Sequence, residues 1–434
     1  MTAPTDSLSR PPASPWRWWV CILLFLATTL NYMDRVALNQ MAVRIQKALD
    51  LNDLQYSHLE SGFSFAYAIG AILSGIVVDR VNVRWVYPLM VLGWSAAGVM
   101  TGYSTGFAWL FTCRVVLGLF EAGNWPCGIR TTRLVLRSEE RSFGNSLFQS
   151  GTAVGAIVTP ILILVMLKRA DAAAGQENHP DSWKMPFIAI GILGIAWVVL
   201  WFLTVPGRLL DPKSGPEAAS HAGATRYWDV FRDRRFWALL ATVIAINVCW
   251  QTYRMWFPKY LQQKRGFSET DMSTFMTWFY LTADVGSWTV GLLTLVMVRR
   301  GMSNHTARLL VYAGCAGLVL VSFAVPFLPI GWELTASVLI FSFGSLGLFP
   351  TYFALSQELS AAHQGKVSGT LGAAAHMFLA LVVYKIQGHV IQDTKSYDEV
   401  LAVAGLFPLL AFVLMLWLWP PSYEPPQDAV KGVA

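Results

Sequence analysis

Residues 18–41 read WWVCILLFLATTLNYMDRVALNQM, an apolar run that carries two adjacent charges in its interior, Asp34 and Arg35. A charge near the middle of a bilayer costs about 2.5–3.5 kcal/mol on insertion scales, so such residues face a protein interior or a cavity. The run therefore predicts a transmembrane helix whose segment from Asn31 to Arg35 faces the inside of the protein.

A second pair of charges lies in another apolar run, 107–129, which contains Arg114 and Glu121. Their spacing of seven residues is close to two helical turns, so both side chains leave one face of a helix, about 10 Å apart along its axis. Two predicted membrane helices each contribute an acid and a base to the interior. We take these four residues as the predicted functional centre.

The composition excludes an ordinary soluble domain, because 55% of the 434 residues are apolar and only 13% are charged. Runs of about 20 apolar residues are long enough for membrane helices, and they lack the short alternation of barrel strands. The sequence therefore predicts an all-α membrane protein with twelve transmembrane helices. The twelve runs are 17–41, 57–78, 85–104, 107–129, 142–167, 186–206, 236–261, 271–298, 306–329, 332–357, 366–391 and 398–420.

The charge distribution predicts the orientation of these helices. The first run is too long for a cleaved signal peptide and is followed by further spans. Loops on the side of the N-terminus hold more Lys and Arg than the opposite loops, which places both termini in the cytoplasm. The net charge of +6 thus reports topology, and no nucleic-acid-binding module is recognisable. The five cysteines lack metal-like spacing, so neither a metal nor a cofactor is expected.

The predicted spans divide into two sets of six. Residues 1–16 form a polar tail, 17–206 a first six-helix bundle, 207–235 a Pro-containing cytoplasmic linker, 236–420 a second bundle and 421–434 a second tail. A loose internal repeat supports the division, because the polar turns 138–146 and 360–369 each precede a span rich in small residues. Two similar halves of this kind are common in secondary transporters.

The loop between the second and third runs carries a more specific pattern. Residues 75–84 read GIVVDRVNVR, which resembles the Gly-x-x-x-Asp-Arg-x-Gly-x-Arg signature of the major facilitator superfamily, with Asp79 and Arg80 as the matching gating-loop residues. Asn82 stands where the signature has Gly. Because Asn tolerates the left-handed backbone conformation, we expect it to replace the glycine in such a turn.

Within that superfamily the chain resembles the anion:cation symporter family, which includes galactonate and hexuronate transporters and lysosomal sialic acid exporters. The resemblance covers nearly all twelve runs. It implies a monomer of the bacterial inner membrane that moves organic anions together with protons. The carrying residues are Asn31, Tyr32, Asp34, Arg35, Tyr67, Arg114, Glu121, Gly123, Asn124, Pro126 and the stretch 256–261.

Arg35 has the chemistry that an organic anion requires. A guanidinium stays charged and binds a carboxylate through two parallel hydrogen bonds. The alternative is a structural ion pair with a neighbouring helix. Asp34 lies about 100° further round the helix, and the family resemblance implies a role in proton coupling for it; a fixed salt bridge is the alternative.

Glu121 is the stronger candidate for the proton site, and the resemblance implies coupling and gating roles for Glu121 and Arg114. Protonation of Glu121 would cancel one negative charge in the cavity. Proton and substrate anion would then favour each other's binding, which gives co-transport a physical basis.

Three uncharged residues complete the candidates in the first half. Tyr32 and Tyr67 offer hydroxyls to a sugar or a carboxylate, and Gln149 offers an amide. Packing is the alternative for the two tyrosines, since aromatic residues are common in this chain.

The second half departs from the family pattern at two positions. Arg254 either faces the cavity, as in organophosphate exchangers that pair an Arg of the first span with one of the seventh, or extends to the headgroups near Trp256 and Lys259. An unpaired cavity-facing Arg254 would favour a dianion. His376 is either a substrate ligand or a partner in a helix–helix hydrogen bond. Asp284 is either a further buried acid or a residue with a structural partner.

The sequence therefore predicts a proton-coupled symporter of an organic anion, most simply a sugar acid (a hexonate or hexuronate), that works by alternating access. Two other interpretations stay open. Arg254 prompts organophosphate or anion exchange, and a transporter-like membrane sensor is conceivable, although no additional signalling domain is recognisable. An integral-membrane enzyme is disfavoured because the sequence has neither a His-rich metal cluster nor a nucleophile elbow.

Overall fold

The computed structural model describes residues 16–136, 141–175, 179–205, 210, 227–359 and 364–419, and regular structure in this part of the chain is helical. The α-helices of the first half are α1 (Trp16–Gln40), α2 (Ala42–Leu49), α3 (Asp53–Arg80), α4 (Val83–Gly102), α5 (Phe107–Glu121), α6 (Asn124–Val135), α7 (Arg141–Ala174) and α8 (Lys184–Thr204). Those of the second half are α9 (Arg234–Lys259), α10 (Glu269–Arg299), α11 (Asn304–Val319), α12 (Trp332–Leu359), α13 (Gln364–Phe378), α14 (Tyr384–Thr394), α15 (Asp398–Val403) and α16 (Leu406–Leu418).

Short irregular helical segments connect several of these elements. A π-helical segment, Tyr260–Lys264, continues α9, and another, Leu379–Val383, joins α13 to α14. Three 3₁₀ turns lie at Tyr227–Arg232, Leu320–Phe323 and Val325–Phe327. π-bulges of this kind occur mostly inside longer helices and often lie near functional sites.

Ten helical stretches in the described residues are long and apolar enough to cross a membrane. The predicted runs 85–104 and 107–129 are not among them. The first corresponds to α4, whose Arg, Trp, Tyr, Gly and Ser residues lower its hydropathy. The second is divided, because α5 ends at Glu121 and α6 begins at Asn124. The prediction that 107–129 forms one helix is therefore wrong.

Small residues allow close packing within each half. In the first half α1 packs on α7, α3 on α5 and α4 on α8, and in the second α10 and α11 pack on α12 while α9 packs on α16. At the crossing of α3 and α5, a Cβ built on Gly118 would lie 2.3 Å from the Phe63 carbonyl oxygen. Glycine at such a crossing lets two membrane helices approach backbone to backbone.

Two seams hold the halves together. Helix α3 packs on α13 and α14, and α7 packs on α10. Each seam joins the second long helix of one half to the fifth of the other, which is the arrangement that a pseudo-twofold axis between two similar bundles produces.

The two ends of the molecule differ. At one end, which we call the closed end, Lys259 of α9 forms an ion pair with Asp53 of α3. The other, terminal end holds Trp16, whose indole N–H donates to the Thr204 carbonyl. Towards that terminal end, no described atom lies within 4 Å of a Cβ built on Gly369 of α13, and Gly369 is exposed. At the closed end, ion pairs between described residues therefore join the two halves directly.

Candidate substrate site

The first element of the site is a buried ion pair between α1 and α5. Arg35 Nε donates to Glu121 Oε2 at 2.6 Å, and the Arg35 and Glu121 side chains are 10% and 0% exposed. Three aromatic rings surround the guanidinium, with centroids 5.4 Å (Tyr32), 5.3 Å (Phe63) and 4.6 Å (Tyr67) from its carbon. Such contacts stabilise a cation that has lost much of its water. Two roles were predicted for Arg35, a ligand of the substrate carboxylate or a partner in a structural ion pair. This structure contains the ion pair, with Glu121.

The break between α5 and α6 positions Glu121. Ala122 and Gly123 separate the two helices, and Gly123 packs so closely on Met90 that a Cβ would lie 2.6 Å from it. Asn124 then anchors the start of α6, because it accepts a hydrogen bond from the Tyr87 hydroxyl at 2.7 Å and donates to Thr28 at 3.1 Å. The Glu121 carboxylate is therefore held at a helix end, with Oε1 lacking a hydrogen-bond partner among the described residues.

Asp34 faces another direction. It is 2% exposed, and its Oδ1 has no hydrogen-bond partner in the part of the chain that the structure describes. The nearest approach comes from α4, where a Cβ built on Gly98 would lie 3.2 Å from that oxygen. The fixed salt bridge that was the alternative for Asp34 is not present between described residues.

A third acid, Glu60 of α3, is the residue that sequence reasoning missed. Its Oε1 accepts from Arg114 Nη2 at 3.3 Å and from Asn39 Nδ2 at 3.2 Å, and its Oε2 accepts from Arg254 Nη2 at 3.2 Å. Glu60 is fully buried. It thus bridges an arginine of its own half to an arginine of the other half, and Arg114 is held by Glu60 instead of Glu121.

Arg254 lies inside the protein and not at a headgroup level. Besides Glu60, its Nη1 donates to Asn39 Oδ1 at 2.9 Å and to the Arg35 carbonyl at 3.3 Å, and its Nε donates to Gln251. It is 6% exposed. The expectation that a cavity-facing Arg254 is an unpaired charge is wrong for this conformation, because Glu60 offsets it. The argument for a dianionic substrate loses its premise.

Three residues at intervals of seven along α3 contact the second half. Asp53 pairs with Lys259, Glu60 with Arg254, and the Tyr67 ring lies against the His376 ring with centroids 4.5 Å apart. A seven-residue interval keeps the three side chains on nearly the same helix face. This stripe therefore forms a row of contacts that runs from the closed end to the centre of the molecule.

The closed end carries further links between the halves. Lys259 Nζ lies 4.9, 5.2 and 5.7 Å from the ring centroids of Tyr56, Trp256 and Tyr397. Arg44, on the short helix α2 that was not predicted, donates to Glu269 Oε2 at 2.6 Å. Burial lowers the pKa of the Arg44 guanidinium, but the carboxylates of Glu269 and Asp171 together outweigh it, so the pKa is raised.

The remaining predicted residues are placed as follows. Gln149 is exposed on α7, nearly opposite the exposed apolar residues Val154 and Val158, so its side chain is directed away from that outer face. His376 Nδ1 has no hydrogen-bond partner among the described residues, so the expected helix–helix bond is absent at that atom.

Three further expectations concern charges and a turn. Arg80 is exposed at the end of α3, whereas the Asp79 side chain lies outside the described residues.

Asn82 has a φ of −59° and caps α4 by accepting from the Arg84 N–H, so the expected left-handed conformation is wrong there. Asp284 makes no ion pair with a described residue, against the alternative of a structural partner. Parts of the loose repeat, residues 137–140 and 360–363, lie outside the description.

The fold and the site define a polytopic helical membrane protein of two pseudosymmetric halves with buried ion pairs at their interface. The model of the Major Facilitator Superfamily matches residues 24–383, and the chain belongs to that superfamily. The resemblance that the sequence motifs indicated is thereby confirmed.

Several curated relatives are named as sugar acid transporters. The chain is 23% identical over 425 residues to the hexuronate transporter of Escherichia coli K12, covering 92% of this chain and 93% of that protein. It is 27% identical over 314 residues to the D-galactonate transporter of Escherichia coli O6:H1, covering 67% and 70%. Among solved structures, a bacterial homologue of the human lysosomal transporter Spinster, in an inward-facing and occupied conformation, has a TM-score of 0.78 at 16% identity, covering 96% of this chain and all of that one.

Proposed function

We propose that this protein is a proton-coupled symporter of a monocarboxylate sugar acid, a hexonate or a hexuronate, that operates by alternating access. The observation that carries the proposal is the buried pair of Arg35 and Glu121 in its aromatic surroundings. A guanidinium held against an internal carboxylate is a place where an external carboxylate can bind once the internal one is neutralised.

A count of charges supports coupling to a proton. Three buried arginines (Arg35, Arg114 and Arg254) face three buried acids, Asp34, Glu60 and Glu121. A proton on one acid leaves one positive charge in excess, and a monocarboxylate cancels it. Proton and anion therefore stabilise each other, which is the thermodynamic requirement for symport. Glu121 is the preferred site of this proton in the proposal, because it competes directly with a substrate carboxylate for Arg35. Asp34 is the other candidate for the proton site.

The rest of the site would recognise hydroxyls. Tyr32, Tyr67 and Gln149 supply neutral donors and acceptors, and His376 supplies an imidazole whose Nδ1 has no partner among the described residues. Relatives that are named as hexuronate and D-galactonate transporters support a polyhydroxylated acid over a simple one.

The proposed topology has twelve membrane spans. Helix α4 is the third span, and α5 and α6 together form the fourth. Both termini lie in the cytoplasm of a bacterial cell, so the closed end faces outward, and the terminal end, where we place the cleft through which substrate leaves, faces inward. Asp79 and Arg80 then lie at the cytoplasmic gate. The protein acts as a monomer in the inner membrane.

Exchange of an organophosphate is the second candidate, and the interior position of Arg254 is the observation that favours it. Two arginines on opposite halves could bind a dianionic phosphate. The pairing of Arg254 with Glu60 weighs against this candidate, because it removes the excess positive charge.

Transport in proteoliposomes tests both candidates. Purified protein is reconstituted, and uptake of labelled galactonate, glucuronate and a hexose phosphate is measured with an imposed proton gradient, with an uncoupler, and with unlabelled substrate inside. Symport predicts accumulation of a sugar acid that the uncoupler abolishes. Uptake of the phosphate that depends on internal substrate and ignores the uncoupler would replace the proposal by exchange.

A further inference from the structure

We propose that Glu60 is a built-in substitute for the substrate carboxylate at Arg254, and that it allows the empty transporter to close and return. This inference rests on the proposed function, since it assigns a role within the transport cycle of an organic anion. It concerns the bridge between the halves, separate from the pair of Arg35 and Glu121.

Arg254 depends on the first half for its partners. Glu60 Oε2, Asn39 Oδ1 and the Arg35 carbonyl all lie on α1 or α3, at 3.2, 2.9 and 3.3 Å. Gln251, one turn earlier on α9, is its partner within the second half. When the halves part at the closed end, the guanidinium loses its three partners on the first half together.

Glu60, by contrast, keeps an arginine in either conformation. Arg114 belongs to the same half and donates to Glu60 Oε1 at 3.3 Å, and the glycine crossing at Gly118 holds α3 and α5 together. The conformational change therefore moves Arg254 away from Glu60 and exposes the guanidinium to whatever anion is present. The substrate carboxylate that binds Arg35 can then also accept from Arg254, in the position that Glu60 vacates, because the Arg254 guanidinium reaches the backbone of Arg35.

Closure then reverses this replacement of Glu60 by the substrate carboxylate. As α9 returns to α3, Glu60 competes with the bound carboxylate for Arg254 and favours release of the substrate into the cleft at the terminal end. Without substrate, the same pairing neutralises Arg254 during closure, so the empty transporter can also close, which is its return step in net efflux. A buried arginine with no anion is strongly unfavourable, so a chain without Glu60 should close only with substrate bound.

The test variant is Glu60→Gln, which keeps the shape and removes the charge. We expect net efflux of the sugar acid from loaded proteoliposomes to fall at least about tenfold, because the empty transporter must close to return after efflux, and Arg254 would then be buried without a counter-charge. Exchange of labelled for unlabelled substrate should stay within about twofold, because substrate supplies the missing anion in both directions. Glu399→Gln, an exposed acid on α15, is the matched control and should leave both rates unchanged.

A double variant separates this role from a merely structural one. Glu60→Gln combined with Arg254→Gln restores the charge balance, so net efflux should recover relative to Glu60→Gln alone even if affinity is lower. If the double variant is as inactive in net efflux as the single one while exchange persists, Glu60 does not act through Arg254 and the inference is wrong.

A measurement without substrate keeps the inference independent of the transport assay. Ser57 is buried at the seam, where a Cβ built on Gly388 would lie 2.1 Å from its oxygen, so the thiol of Ser57→Cys reports opening of the closed end. In empty protein, Glu60→Gln should raise its labelling by a hydrophilic maleimide about tenfold, and the parent chain without Ser57→Cys corrects for the five native cysteines. Unchanged labelling would overturn the inference. Failure of the wild type to transport any sugar acid, with labelling changed as expected, would instead overturn the proposed function alone.

Discussion

Two buried charge systems lie within the same membrane protein and differ in what breaks them. The pair of Arg35 and Glu121 belongs to one half, so a proton or a substrate can break it while the helices stay in place. The bridge from Arg114 through Glu60 to Arg254 spans both halves, so rigid-body motion breaks it even when nothing binds. The first system is suited to sensing ligands, and the second to sensing conformation.

This division explains why one chain needs three arginines for one carboxylate. A ligand can shift a conformational equilibrium only as far as it binds the two states differently. The pair within the first half supplies binding, and the bridge supplies the difference between the states. The following predictions test the division, from the largest expected effect to the smallest.

Replacing Arg35 should have the largest effect, because it removes the cation of the ligand-sensing pair. Arg35→Ala and Arg35→Lys should each weaken sugar acid binding about 10- to 100-fold, since a charged hydrogen-bonded contact is worth about 1.5–3 kcal/mol and a point charge does not reproduce two parallel bonds. Isothermal titration of purified protein measures the affinity, and Arg299→Lys, an exposed position on α10, is the control. Wild-type affinity in Arg35→Lys would remove Arg35 from the carboxylate site.

Glu121→Gln should divide coupling from binding. The neutral amide imitates the protonated acid, so we expect substrate binding and exchange to persist, while accumulation driven by a proton gradient falls to the level of the uncoupled wild type. Proteoliposome uptake with and without a gradient measures this. Concentrative uptake that survives in Glu121→Gln would transfer the coupling role to Asp34.

Gly118→Ala should disturb the second system from within the first half. The new Cβ would lie 2.3 Å from the Phe63 carbonyl, so α5 must move away from α3 and carry Arg114 away from Glu60. Overpacking of this kind costs about 1–3 kcal/mol, and thermal unfolding in detergent should shift to lower temperature. Gly317→Ala on α11, where no described atom lies within 4 Å of the added Cβ, is the control. Equal unfolding temperatures for the two variants would show that the crossing of α3 and α5 accommodates the added methyl group.

Asp53→Asn should have the smallest effect on the conformational system. The Lys259 side chain is buried, but an Asn at position 53 still offers it an acceptor oxygen, and the rings of Tyr56, Trp256 and Tyr397 stay around its ammonium group, so part of its stabilisation remains. Labelling of Ser57→Cys should rise less than in Glu60→Gln, by about twofold to fivefold. A larger rise for Asp53→Asn than for Glu60→Gln would reverse the order of importance along α3.

The sequence was sufficient for the charges that lie deep in apolar runs and for the class of protein. Arg35, Arg114 and Glu121 are all conspicuous in the sequence because the cost of burying a charge is large, and the structure places each of them in one of the two buried charge systems. Glu60 was missed because it is only the fourth residue of the predicted run 57–78. An acidic residue so close to the end of a run is interpreted as lying at the membrane boundary. Helix α3 begins at Asp53, so Glu60 is a full two turns inside.

The partners of these charges could not be predicted, because pairing depends on which helix faces touch. Spacing along one helix connected Arg114 to Glu121, whereas the close crossing at Gly118 brings Arg114 to Glu60 of another helix. The helix break at Ala122 and Gly123 was also missed, because the run was delimited by its apolar residues alone, although Pro126 cannot donate a helical hydrogen bond to the Ala122 carbonyl. Substrate identity and proton coupling stay predictions.

The stripe on α3 acts mechanically as a lever. Its three contacts lie seven residues apart, or about 10 Å, so with Tyr67 as the fulcrum Glu60 is on an arm of about 10 Å and Asp53 on one of about 20 Å. A tilt of roughly 10° between the halves would then displace Asp53 by about 3.5 Å and Glu60 by about 1.7 Å. The outer pair, Asp53 with Lys259, therefore separates before the inner pair, Glu60 with Arg254, in the same movement, and the halves part from the closed end towards Tyr67.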